Sequence, residues 1–352
     1  MNTRITEKNG VMGELTMEDL RDVQIKTYID LVKQGVDIYY LVSDSVSTSK
    51  VKPFRELFPK RVINVGIAEQ NMMGMAAGMA NGGVIPVTGN ATPFLISRSN
   101  ENLKIDISYA HSNVKVNGMH AGFSYGTDGI THHEINDIGF IRGMPGFEIY
   151  APCDPRECRQ MTNYGVVERK GPVYTSLNTG KFHNITPDNY VFQPGLPLQL
   201  SDGKDITIIA LGTAVHDVLE AVKKLNDNQG KSLSCAVFAI TSIRPFTPSI
   251  LIDSINETGM VLTVEQHSTH GGIGSLIAEL IADNGLGAKL KRLGVPEGSF
   301  SKNWSQVDNK THFKLDAAGI AETIQEMCSK NNKELIWNTS SQLIREPAVQ
   351  KH

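Results

Sequence analysis

The chain has 352 residues, with 34 Lys and Arg against 37 Asp and Glu for a formal net charge of −3. Apolar residues make up 40% and charged residues 20%, which excludes a disordered chain and leaves no basic excess to mark a polyanion-binding surface. The cysteines, Cys153, Cys158, Cys235 and Cys328, are too scattered for a disulfide framework and read as buried free thiols.

The N-terminal stretch "MNTRITEKNG" is polar and carries no apolar core of signal-peptide length, and no later run is long enough to span a bilayer. A cytoplasmic protein is expected. At this length two domains are the natural organisation.

In chain order, the apolar, β-rich runs "DIYYLVSD", "RVINVG", "GVIPVTG", "NVKVNG", "FEIYAP" and "PVYTSL" alternate with segments of helix length. That alternation predicts βαβ units and a mostly parallel sheet. Asp44 ends the first run, where on residue type alone it reads as a helix cap. The stretch "NVGIAEQNMMGMAAGMANGG" then predicts a strand end, a turn at Gly66 and a helix with Glu69 in its first turn.

A carboxylate at that position is favoured by the helix dipole by about 0.3–1 kcal/mol, so capping is one reading of Glu69. The small residues Gly74, Ala76, Ala77, Gly78 and Ala80 point further, because they leave one helix surface open to close approach. A carboxylate at the lip of so tight an interface needs a partner, ligand or subunit to satisfy it. Phe94 reads, by composition, as a core aromatic.

Residues 117–146 contain a glycine-punctuated loop of about fifteen residues holding His120, Asp128, His132, His133 and Glu134 ahead of a helix expected to start near Glu134. Gly122, Gly126 and Gly129 give that loop backbone freedom. A loop of such length in a compact domain is usually functional. His132 and His133 are adjacent rather than spaced to converge on a metal, and no second cluster completes a ligand set, so side chains that orient a polyhydroxy substrate are the better reading.

Residues 185–203 carry three prolines and little periodicity, which marks a linker. Beyond it the runs "DITIIALGT", "SLSCAVFAIT", "GMVLTVEQH" and "AKLKRLGV" resume the alternation, with helices such as "GGIGSLIAELIADNG". The expected fold class is therefore α/β, with two consecutive parallel or mixed-sheet domains over 1–184 and 203–330, a linker over 185–202, and a polar extension over 331–352 that wraps a neighbour or stays mobile. No repeat of solenoid period is present.

The combination of Gly-Ile-Ala-Glu-Gln-Asn at Gly66 to Asn71 with Asp-Gly-x-Thr-His at Asp128 to His132 resembles the pyrimidine-binding domain of transketolases, and "VLTVEQHSTHGGIGSLIAEL" resembles their C-terminal domain. The resemblance runs from about residue 15 to 325. The chain has no Gly-Asp-Gly motif with a downstream Asn of the kind that holds the metal and the diphosphate in that family. The resemblance thus implies the second half of a split transketolase, with thiamine diphosphate as cofactor and a divalent cation, Mg2+ by family expectation, held mainly by an N-terminal partner subunit in an α2β2 assembly.

Residue by residue, the resemblance implies that Glu69 hydrogen-bonds the pyrimidine N1′ of the cofactor, that Phe94 stacks on the aminopyrimidine, with Ala91 where a second aromatic is usual, and that Asp44 lies near the cofactor. It places His120, Asp128 and His132 in the substrate channel, His120 and His132 taking part in catalysis, and puts Arg21 with His120 at the far end of the sugar. Asn178 stands at or beside the place of a family arginine, which suggests a donor end less charged than phosphate, such as a sulfonate or an uncharged ketose. Glu265 and His267 match a motif near the subunit interface and read as structural.

The implied activity is transfer of a two-carbon ketol unit from a ketose to an aldose. The rival readings are the β subunit of a 2-oxo-acid dehydrogenase, a 1-deoxy-D-xylulose-5-phosphate synthase-like enzyme, and a non-catalytic assembly subunit. The loop around His132 and the retention of Glu69, Phe94 and His132 weigh against them.

Overall fold

The chain's structure, a computed structural model, describes residues 16–227 and 233–337. Fourteen strands are found among them: β1 (Glu18–Asp19), β2 (Ile38–Val42), β3 (Val62–Asn64), β4 (Ile85–Ala91), β5 (Lys115–Met119), β6 (Glu148–Tyr150), β7 (Val173–Leu177), β8 (Lys181–Phe182), β9 (Leu198–Ser201), β10 (Ile206–Leu211), β11 (Cys235–Ile240), β12 (Ser242–Arg244), β13 (Met260–Ser268) and β14 (Lys289–Val295). Every β-rich run read from the sequence is a strand.

The first sheet has the order β12-β6-β7-β5-β4-β2-β3 and is parallel except for β12, which runs antiparallel beside β6. From β2 the chain first adds β3 on one side and then β4 on the other, so a crevice opens at the carboxyl ends of β2 and β4. In doubly wound α/β sheets such a reversal point is where ligands bind. The second sheet has the order β14-β13-β10-β11-β9, with β9 alone antiparallel.

Two of these strands depart from the sequence reading. Leu198–Ser201 lies in the stretch expected to link the domains, yet it is β9 and closes the second sheet against β11. Ser242–Arg244 follows β11 immediately but pairs with the first sheet. Pairing of edge strands is decided by a distant partner rather than by local pattern. Beyond residue 330 the helix Ala317–Trp337 continues into the expected extension, whose remainder from 338 lies outside the described residues.

The helix α1 (Leu20–Lys33) is capped by Asp19, whose side chain accepts from Arg21 N, and the short helix α2 (Lys52–Leu57) lies between β2 and β3. The helix α3 (Glu69–Asn81) follows β3 through Gly66, which takes φ +72°, a backbone region open to glycine at little cost. Burying Met72, Met73, Ala76 and Ala77 fixes α3 on the sheet. That core is continuous across the two domains, since Ile209, Phe238 and Ile240 of the second join it.

The helix expected near Glu134 begins instead at Asp137. Glu134 and Gly122 exchange backbone hydrogen bonds of 3.1 and 2.8 Å, and that bridge holds Glu134 extended. Gly122 itself has φ +64°, and a Cβ there would meet Cβ of Gln266 in the second domain at 2.8 Å.

Candidate active site

The crevice at the carboxyl ends of β2 and β4 holds Glu69, which is 2% exposed at the first position of α3. Asn90 at the end of β4 donates its amide to Oε1 over 3.1 Å, and Arg98 donates Nη1 to Oε2 over 2.8 Å. Asn90 is oriented in turn by Ala91 N at 2.8 Å and by the Ser45 hydroxyl. A charge taken from water is tolerable only with such partners. Capping by the dipole alone does not describe this carboxylate, because both oxygens face the crevice residues.

A row of side chains leads away from Glu69. The Arg98 guanidinium carbon lies 4.8 Å from the centre of the half-buried Phe94 ring, within cation–π range. The Phe94 ring meets His132 edge-on at 5.2 Å, His132 meets Tyr125 at 5.2 Å, and Tyr125 stacks on His120 at 4.2 Å. His120 closes the row on Arg21, with Nε2 2.5 Å from Nη1. The row is thus built by residues that follow β3, β4 and β5, by the loop carrying Tyr125 and His132, and by the first turn of α1.

Arg21 is 5% exposed and pairs with the buried Asp19 through two hydrogen bonds, Nε to Oδ1 at 3.0 Å and Nη2 to Oδ2 at 2.7 Å. Its Nη1 also donates to Thr48 O at 3.3 Å. Since Arg only donates, His120 Nε2 accepts, and Nδ1 carries the proton toward Thr179 Oγ1 at 2.9 Å. Burial, and then the neighbouring Arg21 charge, push the His120 pKa from 6.5 down to about 4. His120 is a neutral imidazole with a fixed tautomer. It is also held at φ +63°, a backbone state that His adopts rarely and that recurs at functional sites.

The other expected residues fall at different distances from this row. Asp44 lies two residues beyond β2 at φ +53°, exposed, with its backbone N–H on Asn64 Oδ1 at 3.0 Å, so it borders the Gly66 turn that delivers Glu69. Asp128 is exposed on the 3-10 turn Gly126–Thr131 that precedes His132. Asn178 does not join the row: its amide donates to Ala121 O at 3.1 Å and accepts from Thr213 of the second domain at 2.9 Å. Thr179, one residue on, contacts His120 instead.

His133 is buried, with Nδ1 on Ser301 Oγ and Nε2 on Gly126 O, each at 2.7 Å, so it pins the loop to the second domain rather than lining the crevice. Among the described residues no group of three or more His, Cys, Asp or Glu side chains is arranged to hold a metal ion. Four residues of the site were not singled out from the sequence: Asp19, Asn90, Arg98 and Tyr125.

Behind the loop, Asp137 Oδ2 accepts from Tyr174 OH at 2.7 Å and Ser176 Oγ at 2.6 Å. Glu265 of β13 accepts from Ile273 N and Gly274 N, each at 2.8 Å, at the start of the helix Ile273–Asp283. His267 lies buried between them, 3.9 Å from Asp137 Oδ1. These groups join the two domains and sit apart from the row.

Residues 19–183 match the family "Transketolase, pyrimidine binding domain" and residues 197–320 match "Transketolase, C-terminal domain". The chain is 41% identical, over 87% of its length and 97% of the relative's, to one of the subunits of the apulose-4-phosphate transketolase of Actinobacillus succinogenes. It is 32% identical, over 91% of its length and 98% of the relative's, to a 6-deoxy-6-sulfo-D-fructose transketolase subunit of a Clostridium strain. Among solved structures, a split-gene transketolase described as an inactive beta4 tetramer superposes with a TM-score of 0.78 at 30% identity, covering 88% of this chain and 98% of that one. The chain belongs to the transketolase family, in the form whose pyrimidine-binding and C-terminal domains make up one subunit of a divided enzyme.

Proposed function

We propose that the chain is the pyrimidine-side half of a thiamine-diphosphate-dependent transketolase that moves a two-carbon ketol unit from a ketose to an aldose. The observation that carries this reading is the line from the buried Glu69 carboxylate to the neutral His120. A carboxylate with one donor on each oxygen at the mouth of a crevice, beside a half-buried aromatic ring, suits the polar edge and flat face of an aminopyrimidine.

Thiamine diphosphate, when bound, supplies the carbanion chemistry. Glu69 holds a proton at the pyrimidine N1′, and Asn90 and Arg98 keep its carboxylate aimed. Phe94 provides the stacking face, and Asp44 borders the turn that presents Glu69. His132 offers a ring nitrogen to the sugar hydroxyls and the donor carbonyl, Asp128 stands at the channel mouth, and Arg21 receives the donor's far end beside His120, whose two ring nitrogens are held by Arg21 and Thr179. Asn178 acts on the substrate only indirectly, by fixing the loop that carries His120.

The diphosphate and its Mg2+ fall to a separate subunit, two copies of each chain forming the active assembly. Ile67, 76% exposed two residues before Glu69, and Tyr109, 82% exposed, are apolar side chains suited to that contact. The description of the related beta4 tetramer as inactive agrees with a need for the second subunit. None of the four cysteines forms a disulfide, which fits a cytoplasmic setting; among the described residues no helix is long and apolar enough to cross a membrane.

The test is Glu69→Ala in the chain paired with its diphosphate-binding subunit. Turnover is expected to fall by more than about a hundredfold with the melting temperature little changed. Retention of a tenth of wild-type turnover would remove Glu69 from the mechanism.

A further inference from the structure

We propose that Asp19 is a specificity-determining residue: its buried carboxylate neutralises Arg21, so that the donor site accepts a singly charged or uncharged far end in preference to a phosphate dianion. The inference rests on the reading that the donor's far end lies at Arg21 and His120.

A guanidinium has five N–H donors and binds phosphate through paired ones. In this chain the Nε and Nη2 edge, the edge that forms the fork, is closed on Asp19 at 3.0 and 2.7 Å. Nη1 serves Thr48 O and His120 Nε2. One Nη2 N–H is left, which makes a single hydrogen bond rather than a fork.

The charges agree with the geometry. Asp19 and Arg21 are both buried and sum to zero, and His120 is neutral above about pH 4. Lys50, whose charge reaches both Asp19 and His120, is offset by Asp22 at 3.6 Å, and Lys181, opposite Asp19 in the β1–β8 ribbon, is exposed. What remains for a ligand is a set of neutral groups: Thr179 Oγ1, the Tyr125 ring and the one guanidinium N–H. Such groups suit hydroxyls or a monoanion, and a dianion would be desolvated there without a matching charge.

Asp19→Asn removes one charge, keeps the shape, and keeps an oxygen to cap α1. In the complex with the diphosphate-binding subunit, the ratio of kcat/KM for D-fructose 6-phosphate to that for D-fructose is expected to rise by at least about tenfold, and calorimetric titration of the full chain with inorganic phosphate should show a comparable gain in affinity. Arg21→Met should abolish both gains, since without the guanidinium there is nothing to unmask. An unchanged ratio in a folded Asp19→Asn complex that turns over ketoses overturns the proposal, as does a gain that survives in the Arg21→Met background. Should the complex turn over no ketose at all while phosphate affinity still rises, the donor-site reading fails and the masking of Arg21 by Asp19 stands. Asp19→Ser, which also retains a capping oxygen, carries the same test if the Asn variant does not fold.

Discussion

Arg98 Nη1 donates to Glu69 Oε2 over 2.8 Å, while the same guanidinium lies over the ring of Phe94. One side chain therefore positions both the carboxylate that would hold the pyrimidine edge and the ring that would take its face. The Arg98 side chain is 47% exposed but Glu69 is 2% exposed, so losing Arg98 leaves a buried carboxylate oxygen without its donor, a cost of about 1–3 kcal/mol.

Replacing Arg98 by Met keeps most of the apolar bulk and removes the donor. The expected result is a melting temperature lowered by a few degrees, with a weaker apparent affinity for thiamine diphosphate and turnover down by about tenfold. Lys at this position, a point charge without the planar fork, should recover only part of the loss. Cofactor titration followed by steady-state kinetics checks both parts.

His120 should stay neutral far below the usual histidine range, with its proton on Nδ1. Its folded pKa, about 4, lies under the ordinary 6.5. The unfolded chain therefore takes up the proton first on acidification: the stability tied to this group is present above pH 6.5 and is lost as pH falls toward 4. Nitrogen NMR of the ring between pH 4 and 8 reads tautomer and charge directly, and a protonated ring at pH 6 would contradict the hydrogen-bond assignment.

Glu134 is 3% exposed, and burial, then the nearby Asp137 charge, raise its pKa. A carboxyl with a raised folded pKa favours the fold at pH below its ordinary 4.5, and that contribution is lost as pH rises through the raised value. Glu134→Gln keeps an acceptor for Asn136 N and removes the titration. The variant's melting temperature should match the wild type near pH 5 and exceed it by a few degrees at pH 8.5, measured by calorimetry across that window.

Gly122→Ala combines a backbone at φ +64° with a methyl group 2.8 Å from Gln266 Cβ. A loss of about 1–3 kcal/mol is expected from strain and overpacking together. Because Gly122 also bridges to Glu134, the loop bearing His132 should loosen, and urea denaturation with parallel kinetics should show activity falling at lower denaturant than the global transition.

The strands and the two α/β domains were legible because hydrophobic runs of five or six residues declare themselves without reference to partners. Glu69, Phe94, His120 and His132 were legible through motifs. Arg98 was not, since a charged side chain in a polar stretch looks solvated until tertiary structure brings its partner within 3 Å, here across 29 positions to Glu69; Asp19 was not either, because although Arg21 is two residues on, it is contacts with Thr48 and His120, the latter 99 positions away, that fix the pair in the site. Asn178 was placed at or beside a family position, because sequence correspondence resolves a loop only to within a residue, and it is the neighbouring Thr179 that contacts His120. The second sheet's edge, β9, was hidden by prolines that precede it rather than interrupt it.

The placement of β12 bears on how the chain is made. The seven-stranded sheet is finished by residues 242–244, which lie beyond the whole of β9, β10 and β11. During synthesis from the N-terminus, β6 keeps an open edge until the ribosome has delivered some ninety further residues. A ribosome stalled before Ser242 therefore presents a nearly complete catalytic half with one unpaired strand, the species that chaperones would be asked to shield.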